Sequence, residues 1–322
     1  MDPHVVARLR CPVCAEPLTE VTAGTARMLR CPSRHSFDVA RQGYVNLLTG
    51  RAPHVGDTSE MVAARDDFLA AGHYEPLSAA LAAAATTALH RLPSTPDPTN
   101  TPHPTNRADP MNRADPVDPP HPVDGDEPVD GAYPLVVDSG AGTGRHLAAV
   151  LAALPGAVGL CLDVSKPALR RAARVHPRAT AALADTWQRL PLADGAVAVL
   201  LNVFAPRNGA EFRRVLHPEG TLLVVTPAED HLTELVGPLG LLRVDPTKAD
   251  RVAGSLSAHL TEVDVTPLRH RLHLTHAEVA TLVGMGPSAR HLDPARLAER
   301  IAALPDPVEV TLAVDLTVHR PR

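Results

Sequence analysis

The chain has 322 residues, of which 44% are hydrophobic and 21% are charged, and its formal net charge is −5. This length and apolar content allow two domains with a sizeable core. Because no run of roughly 18 or more apolar residues occurs, the sequence predicts no membrane span. The missing apolar signal segment predicts a cytoplasmic protein.

The net charge of the whole chain hides two oppositely charged segments. Residues 1–51 hold seven arginines against four acidic residues, whereas residues 93–134 hold eight acidic residues against two arginines. The basic amino-terminal end suits contact with nucleic acid. Guanidinium groups bind phosphate and guanine well, although a GC-rich genome explains most of the excess of 29 arginines over 2 lysines. With eight aromatic residues in the chain, base stacking would depend on a few rings such as Tyr44, Tyr74 and Phe204.

Three of the four cysteines lie in the first 31 residues, in the pattern Cys11-x2-Cys14, sixteen residues, Cys31-x3-His35. A Cys-Pro pair repeats at Cys11 and Cys31. Thiolate and imidazole donors at these intervals predict a tetrahedral zinc site, and four protein ligands predict a closed structural site. The alternative is a pair of core cysteines beside a surface histidine.

The chain divides by composition into four predicted segments. Residues 1–40 are predicted to form a zinc-binding RNA-recognition module. Residues 41–92 are predicted to form a connecting helical segment, with a cap at Thr58 and an Ala-rich stretch at its end. Residues 93–134 hold 12 of the 33 prolines and a short duplication, which predicts a disordered insertion. Residues 135–322 are predicted to form the catalytic domain.

The pattern beyond Pro134 alternates apolar strands with helices. The predicted strands are 135–137, 158–162, 196–204 and 221–226, and the predicted helices are 145–154, 165–175 and 210–216. This alternation predicts an α/β fold with a doubly wound, mostly parallel sheet. Residues 308–318 alternate in polarity, and together with 263–274 they predict an antiparallel end on that sheet.

The first of these strands runs into a glycine-rich turn that contains Asp138, Gly140, Gly142 and Gly144. Glycine lets the backbone approach a ligand closely and adopt a positive φ, and in a doubly wound sheet this turn faces the ligand crevice. The third glycine comes one residue earlier than in the dinucleotide fingerprint. This spacing disfavours an NAD-dependent enzyme, and Asp138 favours a ligand that carries an amino-acid group.

Two further acids follow the next strands. Asp163 lies 23 residues beyond Gly140, where a carboxylate accepts hydrogen bonds from ribose hydroxyls. Asp185 follows the third strand, which lies between the predicted strands 158–162 and 196–204, and is placed to receive an adenine amino group. The alternatives are that Asp163 caps a helix and that Asp185 is a surface acid. Together with the glycine turn, the pattern resembles the S-adenosylmethionine-dependent methyltransferases.

Several blocks beside the zinc pattern resemble one family in particular, the 23S rRNA guanine-N1 methyltransferases of the zinc-knuckle RlmA type. These blocks are Phe37–Leu48, Ala71–Leu77, Leu162–Lys166, Asn202–Asn208, Val225–Pro227 with His231, and Met285–Ser288. The resemblance covers nearly the whole chain outside 93–134, and it is closest to the branch in producers of tylosin-like and mycinamicin-like macrolides. The chain departs from the family pattern in its acidic insertion and in Ser139, which stands where a bulky apolar residue is common.

The resemblance implies methyl transfer from S-adenosylmethionine to N1 of a specific guanosine in a 23S rRNA hairpin, with macrolide resistance as the result. It also implies a homodimer and zinc held by the four residues named above. Tyr74, the backbone at His146 and Leu147, and His231 would join the glycine turn and Asp163 at the cofactor. Without the resemblance, Tyr74 is a partly buried tyrosine and His231 a histidine at a helix start.

Methylation at N1 requires that guanine lose a proton while its lone pair attacks the methyl group, and the sequence identifies no base for that proton. Asn202, at the end of the fourth strand, is the candidate catalytic residue, because its amide is placed to orient the guanine edge. The target base must lie in a loop or be flipped out. Two alternatives stay open: a small-molecule methyltransferase of antibiotic biosynthesis, and a non-enzymatic zinc RNA-binding sensor of S-adenosylmethionine.

Overall fold

The computed structural model describes residues 1–50, 56–92, 133–241 and 254–322. The segments Met1–Leu92 and Tyr133–Arg322 form one compact unit. The predicted disordered insertion lies outside the described residues except for its last two. No helix in the described ranges is long and apolar enough to cross a membrane.

The described chain contains two sheets and flanking helices. Its strands are β1 (Thr19–Ala23), β2 (Ala26–Arg30), β3 (Ser36–Asp38), β4 (Tyr44–Asn46), β5 (Leu135–Ser139), β6 (Val158–Asp163), β7 (Ala179–Leu183), β8 (Val197–Val203), β9 (Leu216–Pro227), β10 (Leu260–Leu274) and β11 (Val308–Pro321). Its helices are α1 (Pro3–Val6), α2 (Ser59–Ala70), α3 (Glu75–Leu89), α4 (Arg145–Ala153), α5 (Lys166–Ala172), α6 (Gly209–Val215), α7 (Thr233–Leu239), α8 (His276–Gly284) and α9 (Pro294–Ala302). Residues 254–257 are also helical.

The large sheet has eight strands in the order β10-β11-β9-β8-β5-β6-β7-β4. The strands from β9 to β4 are parallel, whereas β11 pairs antiparallel with both β9 and β10. All residues of β5 and β8 are buried, as expected of parallel strands that are covered on both faces. The predicted doubly wound sheet with an antiparallel end is confirmed.

The large sheet contains one strand that the sequence pattern did not predict. Tyr44–Asn46 forms β4, which pairs in parallel with β7 at the edge of the sheet, and the Leu47 N–H extends the pairing by donating to the Leu183 carbonyl at 3.0 Å. Three residues are too few for a period-2 pattern. The segment 41–92 therefore contributes a strand to the large sheet as well as the helices α2 and α3.

The amino-terminal ribbon, residues 1–40, packs directly on one face of the large sheet. Its strands β1, β2 and β3 form a separate antiparallel sheet. Buried Leu9, Leu18 and Leu29 share one apolar cluster with Leu160 of β6. Leu9 also forms an antiparallel bridge with Leu192. The hydrophobic effect therefore joins the ribbon to the large sheet.

Strand order locates the ligand crevice of the sheet. The chain runs from β5 outward to β6 and β7, and then returns to the other side of β5 to form β8 and β9. The crevice of a doubly wound sheet lies at such a reversal, outside the carboxyl ends of the strands. Here it lies between the turn after β5 and the loop after β8.

Because Leu9 is fully buried between the ribbon and the large sheet, we expect Leu9→Ala to lower the free energy of unfolding by about 2–5 kcal/mol. Urea denaturation followed by circular dichroism measures the loss. Val13→Ala is the control, because Val13 is 59% exposed and its truncation should change stability by at most about 0.5 kcal/mol. Equal midpoints for the two variants would contradict the packing described.

Candidate active site and metal centre

The glycine-rich turn after β5 is held by backbone hydrogen bonds. The N–H groups of Gly140 and Ala141 both donate to the Leu162 carbonyl, at 2.8 and 3.0 Å. Gly140 has a φ of 84°, and a Cβ there would lie 2.4 Å from Cβ of Ala205 in the loop after β8. Gly144 has a φ of 78° and precedes α4. Only glycine fits these conformations without strain, so the turn keeps bare backbone facing the crevice.

The Asp163 carboxylate fixes this turn from the neighbouring strand. Its Oδ2 accepts the Gly142 N–H at 2.8 Å, and its Oδ1 accepts the Ser165 N–H at 2.7 Å. Burial raises the pKa of Asp163, while the two backbone hydrogen bonds oppose that shift. The Ser165 side chain caps α5, so capping is not the role of Asp163. Each carboxylate oxygen keeps a further lone pair that can accept a ligand hydroxyl.

Three buried oxygen atoms around the turn have no hydrogen-bond partner among the described residues: Asp138 Oδ1, Thr143 Oγ1 and Asp185 Oδ2. Burial without a partner is costly, so these atoms are suited to receive a polar ligand. Asp185 is 4% exposed and is therefore no surface acid. Burial, assisted by the negative charge of Asp163, raises the pKa of Asp138 to about 8.

A strap formed by residues 56–66 lies beside the glycine turn. The Ser165 hydroxyl donates to the Asp57 carbonyl at 2.8 Å. Arg65 forms an ion pair with the Asp57 carboxylate and donates to the Met285 carbonyl at 2.9 Å. A Cβ on Gly142 would lie 3.3 Å from Nη1 of Arg65. The sequence analysis missed Arg65, because it belongs to no motif and only the fold brings it to the turn.

His146 and Leu147 lie in the first turn of α4, directly after Gly144. Both side chains are buried, and His146 Nδ1 lies 2.8 Å from Oγ of Ser78. Burial lowers the pKa of His146 to about 4, so the ring is neutral at pH 7. The backbone N–H groups of these two residues lie at a helix start. Such groups have no acceptor within the helix, and they favour an anionic ligand group.

Three aromatic rings from separate elements meet beyond the turn. Phe204 lies between Tyr74 and His231, with ring centroids 6.4 and 5.9 Å apart. The Phe204 backbone has a φ of 52°, which is rare for a bulky residue, and its side chain is 43% exposed. Burial lowers the pKa of His231 to about 4. The rings form an apolar wall at the carboxyl end of β8.

Asn202 lies near the end of β8, two residues before Phe204, and its side-chain amide is bonded inside the protein. The side chain is completely buried, its Nδ2 donates to the carbonyls of Ser139 at 3.1 Å and Pro206 at 2.8 Å, and its Oδ1 accepts Nε of Arg207 at 3.1 Å. Both amide hydrogens are therefore engaged inside the protein. This geometry favours a positioning role, and direct contact of Asn202 with guanine stays a prediction.

The predicted metal ligands form a single cluster at the tip of the ribbon. One ligand atom from each of Cys11, Cys14, Cys31 and His35 lies within 4.8 Å of all the others. Neighbouring atoms are 3.4–3.6 Å apart: Cys31 Sγ to His35 Nδ1, Cys11 Sγ to His35 Nδ1, and Cys14 Sγ to Cys31 Sγ. A tetrahedron around zinc with bonds of about 2.0–2.3 Å has edges of about 3.5–3.8 Å, so the four atoms fit this ion.

Two similar backbone turns present these ligands. The Cys11 N–H donates to the Glu16 carbonyl at 2.8 Å, and the Cys31 N–H donates to the His35 carbonyl at 3.1 Å. Each turn contains a residue with a left-handed backbone, Ala15 at φ 62° and Arg34 at φ 66°. The second turn thereby holds an exposed arginine beside the metal ligands.

Both the zinc ribbon and the chain as a whole are similar to known proteins. Residues 9–51 match the zinc-ribbon family model described as RlmA, N-terminal. A protein of Micromonospora griseorubida, provisionally named 23S rRNA (guanine-N(1)-)-methyltransferase, is 62% identical over 322 residues, which is 100% of both chains. The 23S rRNA (guanine(748)-N(1))-methyltransferase of Streptomyces fradiae is 49% identical over 321 residues, 100% of this chain and 99% of that one. The solved 16S rRNA methyltransferase KamB is 19% identical, with a TM-score of 0.34 over 59% of this chain and 90% of that one.

We expect Cys14→Ser to lose the zinc ion, because a hydroxyl replaces one of four donors in a closed site. Elemental analysis of the purified full chain should give about one zinc per wild-type molecule and much less for the variant. Cys161→Ala is the matched control, because Cys161 is the one cysteine outside the cluster. Loss of zinc from both variants, or from neither, would contradict the assignment.

Proposed function

The chain belongs to the 23S rRNA (guanine-N1-)-methyltransferases, and from this premise we propose that it transfers a methyl group from S-adenosylmethionine to N1 of a guanosine in 23S rRNA. The main structural support is the set of three unpartnered buried oxygens around the glycine turn. A ligand with several hydrogen-bond donors would satisfy such atoms, and the cofactor carries ammonium, ribose and adenine donors.

The cofactor roles follow the chemistry of each group. We assign the α-amino group of the cofactor to Asp138, the ribose hydroxyls to Asp163 and the adenine amino group to Asp185. The N–H groups of His146 and Leu147 suit the carboxylate, because a helix start favours anions. Gly140, Gly142 and Gly144 let the backbone approach, and Tyr74 and His231 line the side toward the methyl group.

When bound, S-adenosylmethionine supplies a methyl group on a positively charged sulfonium. The wall of Tyr74, Phe204 and His231 would exclude water and hold the guanine in line with that methyl group, and alignment of this kind is worth up to roughly 7–11 kcal/mol. Because burial lowers the pKa of His231 to about 4, the ring adds no positive charge beside the cationic donor. The low pKa also makes the ring a weak acceptor for the N1 proton of guanine.

The amino-terminal ribbon would hold the RNA. Arg27, Arg30 and Arg34 are exposed on it, and exposed Arg41 directly follows it; guanidinium groups bind phosphates. Arg34 belongs to the second metal-binding turn, so a bound zinc ion would fix the backbone that presents it. A homodimer would bring two such ribbons together, and light scattering of the purified protein would test the stoichiometry.

Macrolide resistance is the biological consequence that we propose for this methylation. The competing reading is a small-molecule methyltransferase of antibiotic biosynthesis. Such an enzyme has no use for a basic ribbon. Susceptibility of a macrolide-sensitive host with and without the gene would test the resistance, and primer extension on its 23S rRNA would identify the modified guanosine.

We expect the purified protein to transfer tritiated methyl groups to 23S rRNA and not to macrolide precursors. Asp163→Ala should reduce transfer at least tenfold, because it removes two backbone hydrogen bonds and the ribose acceptor. Asp194→Ala is the control, because Asp194 is a surface acid with its side chain 73% exposed. Label on the precursors alone would refute the proposed function. Tight cofactor binding with label on neither would favour the sensor.

We expect the affinity for S-adenosylmethionine to rise with pH between about 5.5 and 7.5. Asp138 has a pKa of about 8 in the free protein, so it is protonated in this range and must lose its proton to pair with the ammonium group. The gain should reach up to about tenfold per pH unit. Calorimetric titration at several pH values measures it. Asp138→Asn should bind weakly with little pH dependence, and an unchanged slope in this variant would contradict the assignment.

A further inference from the structure

A second cavity opens beside the loop after β8, outside the cofactor site just assigned. Its volume is about 360 Å³, within the range of ligand pockets. The lining includes Trp187, Arg207, Asn208, Ser255 and His259, and none of the described residues that line it is acidic. We call this cavity the Trp187–Arg207 pocket.

Arg207 is held in this pocket by the buried amide of Asn202. Its Nε donates to Asn202 Oδ1 at 3.1 Å, and Asn202 is itself fixed through its Nδ2 to Ser139 and Pro206. Within the described part of the chain, Arg207 forms no ion pair with a carboxylate. Its guanidinium group is half-buried, and burial lowers its pKa to about 10, so it stays charged at pH 7.

The histidine beside Arg207, His319, adds no negative charge to the pocket. His319 is 6% exposed, and burial together with the positive charge of Arg207 lowers its pKa to about 4. The acid of the adjacent helix, Glu211, is occupied by Arg214 and the Leu190 N–H. A partly desolvated guanidinium group without a counter-ion favours an anion, and planar arginine suits phosphate.

Trp187 supplies an apolar plane at the same pocket. It is the single tryptophan of the chain and is 53% exposed, although its backbone is anchored through its N–H to Asp185 Oδ1 at 3.0 Å. An exposed indole ring whose backbone is anchored offers a face on which a nucleobase can stack. Base stacking thus has a candidate ring that the sequence analysis did not single out.

The pocket is close to the proposed methylation site. Arg207 lies three residues after Phe204, and three residues span at most about 10–11 Å. On the premise of the proposed function, we propose that the Trp187–Arg207 pocket binds the nucleotide next to the methylated guanosine, with Arg207 on a phosphate oxygen and Trp187 stacked on the base. Asn202 is then a positioning residue for Arg207.

The fluorescence of the single tryptophan reports directly on this pocket. Titration of the full-length protein with a 23S rRNA hairpin should quench Trp187, and S-adenosylmethionine alone should not. Arg207→Gln should weaken RNA binding about tenfold and reduce the salt slope of log Kd by about 0.7–0.9, with cofactor affinity within twofold of wild type. Arg207→Lys keeps the charge and should recover part of the loss.

Trp187→Ala should weaken RNA binding by roughly 5–150-fold, the equivalent of about 1–3 kcal/mol per stacked base, and Trp187→Phe should keep most of the affinity. Arg189→Gln is the charge control, because Arg189 is a neighbouring arginine with its side chain 62% exposed that does not line the pocket. It should leave the quenching curve nearly unchanged.

The outcomes separate the pocket from the proposed function. If wild type methylates 23S rRNA and Arg207→Gln binds and methylates it equally well, the pocket proposal is wrong and the function stands. If the cofactor alone quenches Trp187 and Arg207→Gln weakens cofactor binding, the pocket belongs to the cofactor site and the proposal is also wrong. If wild type methylates no RNA, the proposed function itself fails.

Discussion

The Asp163 carboxylate connects the segments that make up the proposed active site. It accepts one hydrogen bond from Gly142 of the glycine turn and one from Ser165 at the start of α5, and the Ser165 hydroxyl in turn bonds to the strap at Asp57. The turn, the helix start and the strap are therefore positioned by one buried group. Charge-assisted hydrogen bonds offset the cost of burying it, and three oxygens around the turn, Asp138 Oδ1, Thr143 Oγ1 and Asp185 Oδ2, are buried without a partner among the described residues.

The ribbon and the rest of the chain are joined through the large sheet. The ribbon packs its leucines on one face of that sheet, and the chain then continues into β4, which extends the sheet beside β7. The loop after β7 carries both Asp185 and Trp187, and Thr49 beyond β4 bonds to Gln188 in the same loop at 3.0 Å. The backbone pairing of β4 with β7 and the buried leucines thus connect the ribbon to the loop that carries Asp185 and Trp187.

The loop after β8 distinguishes the competing functions. A protein that only senses a cofactor needs the oxygens around the glycine turn, but it needs no acceptor site. Here Phe204 is held in a left-handed backbone conformation above a fully bonded Asn202, and strained residues of this kind cluster at functional sites. Beside it, the Trp187–Arg207 pocket offers a guanidinium group and an indole ring, which suit a nucleotide better than an uncharged small molecule.

The sequence alone determined the cluster of three cysteines and His35, the doubly wound fold and the acids at the strand ends, because each depends on residue type at a local spacing. Only the tertiary structure decided that Asn202 is used up internally, that Arg65 reaches the glycine turn, and that Trp187 and Arg207 line one cavity. The tertiary structure also shows that Tyr44–Asn46 forms a strand. Apart from the bonds of Asn202 to Pro206 and Arg207, these outcomes depend on contacts between residues from about 20 to more than 130 positions apart, and no periodicity or motif within a window of sequence encodes such contacts.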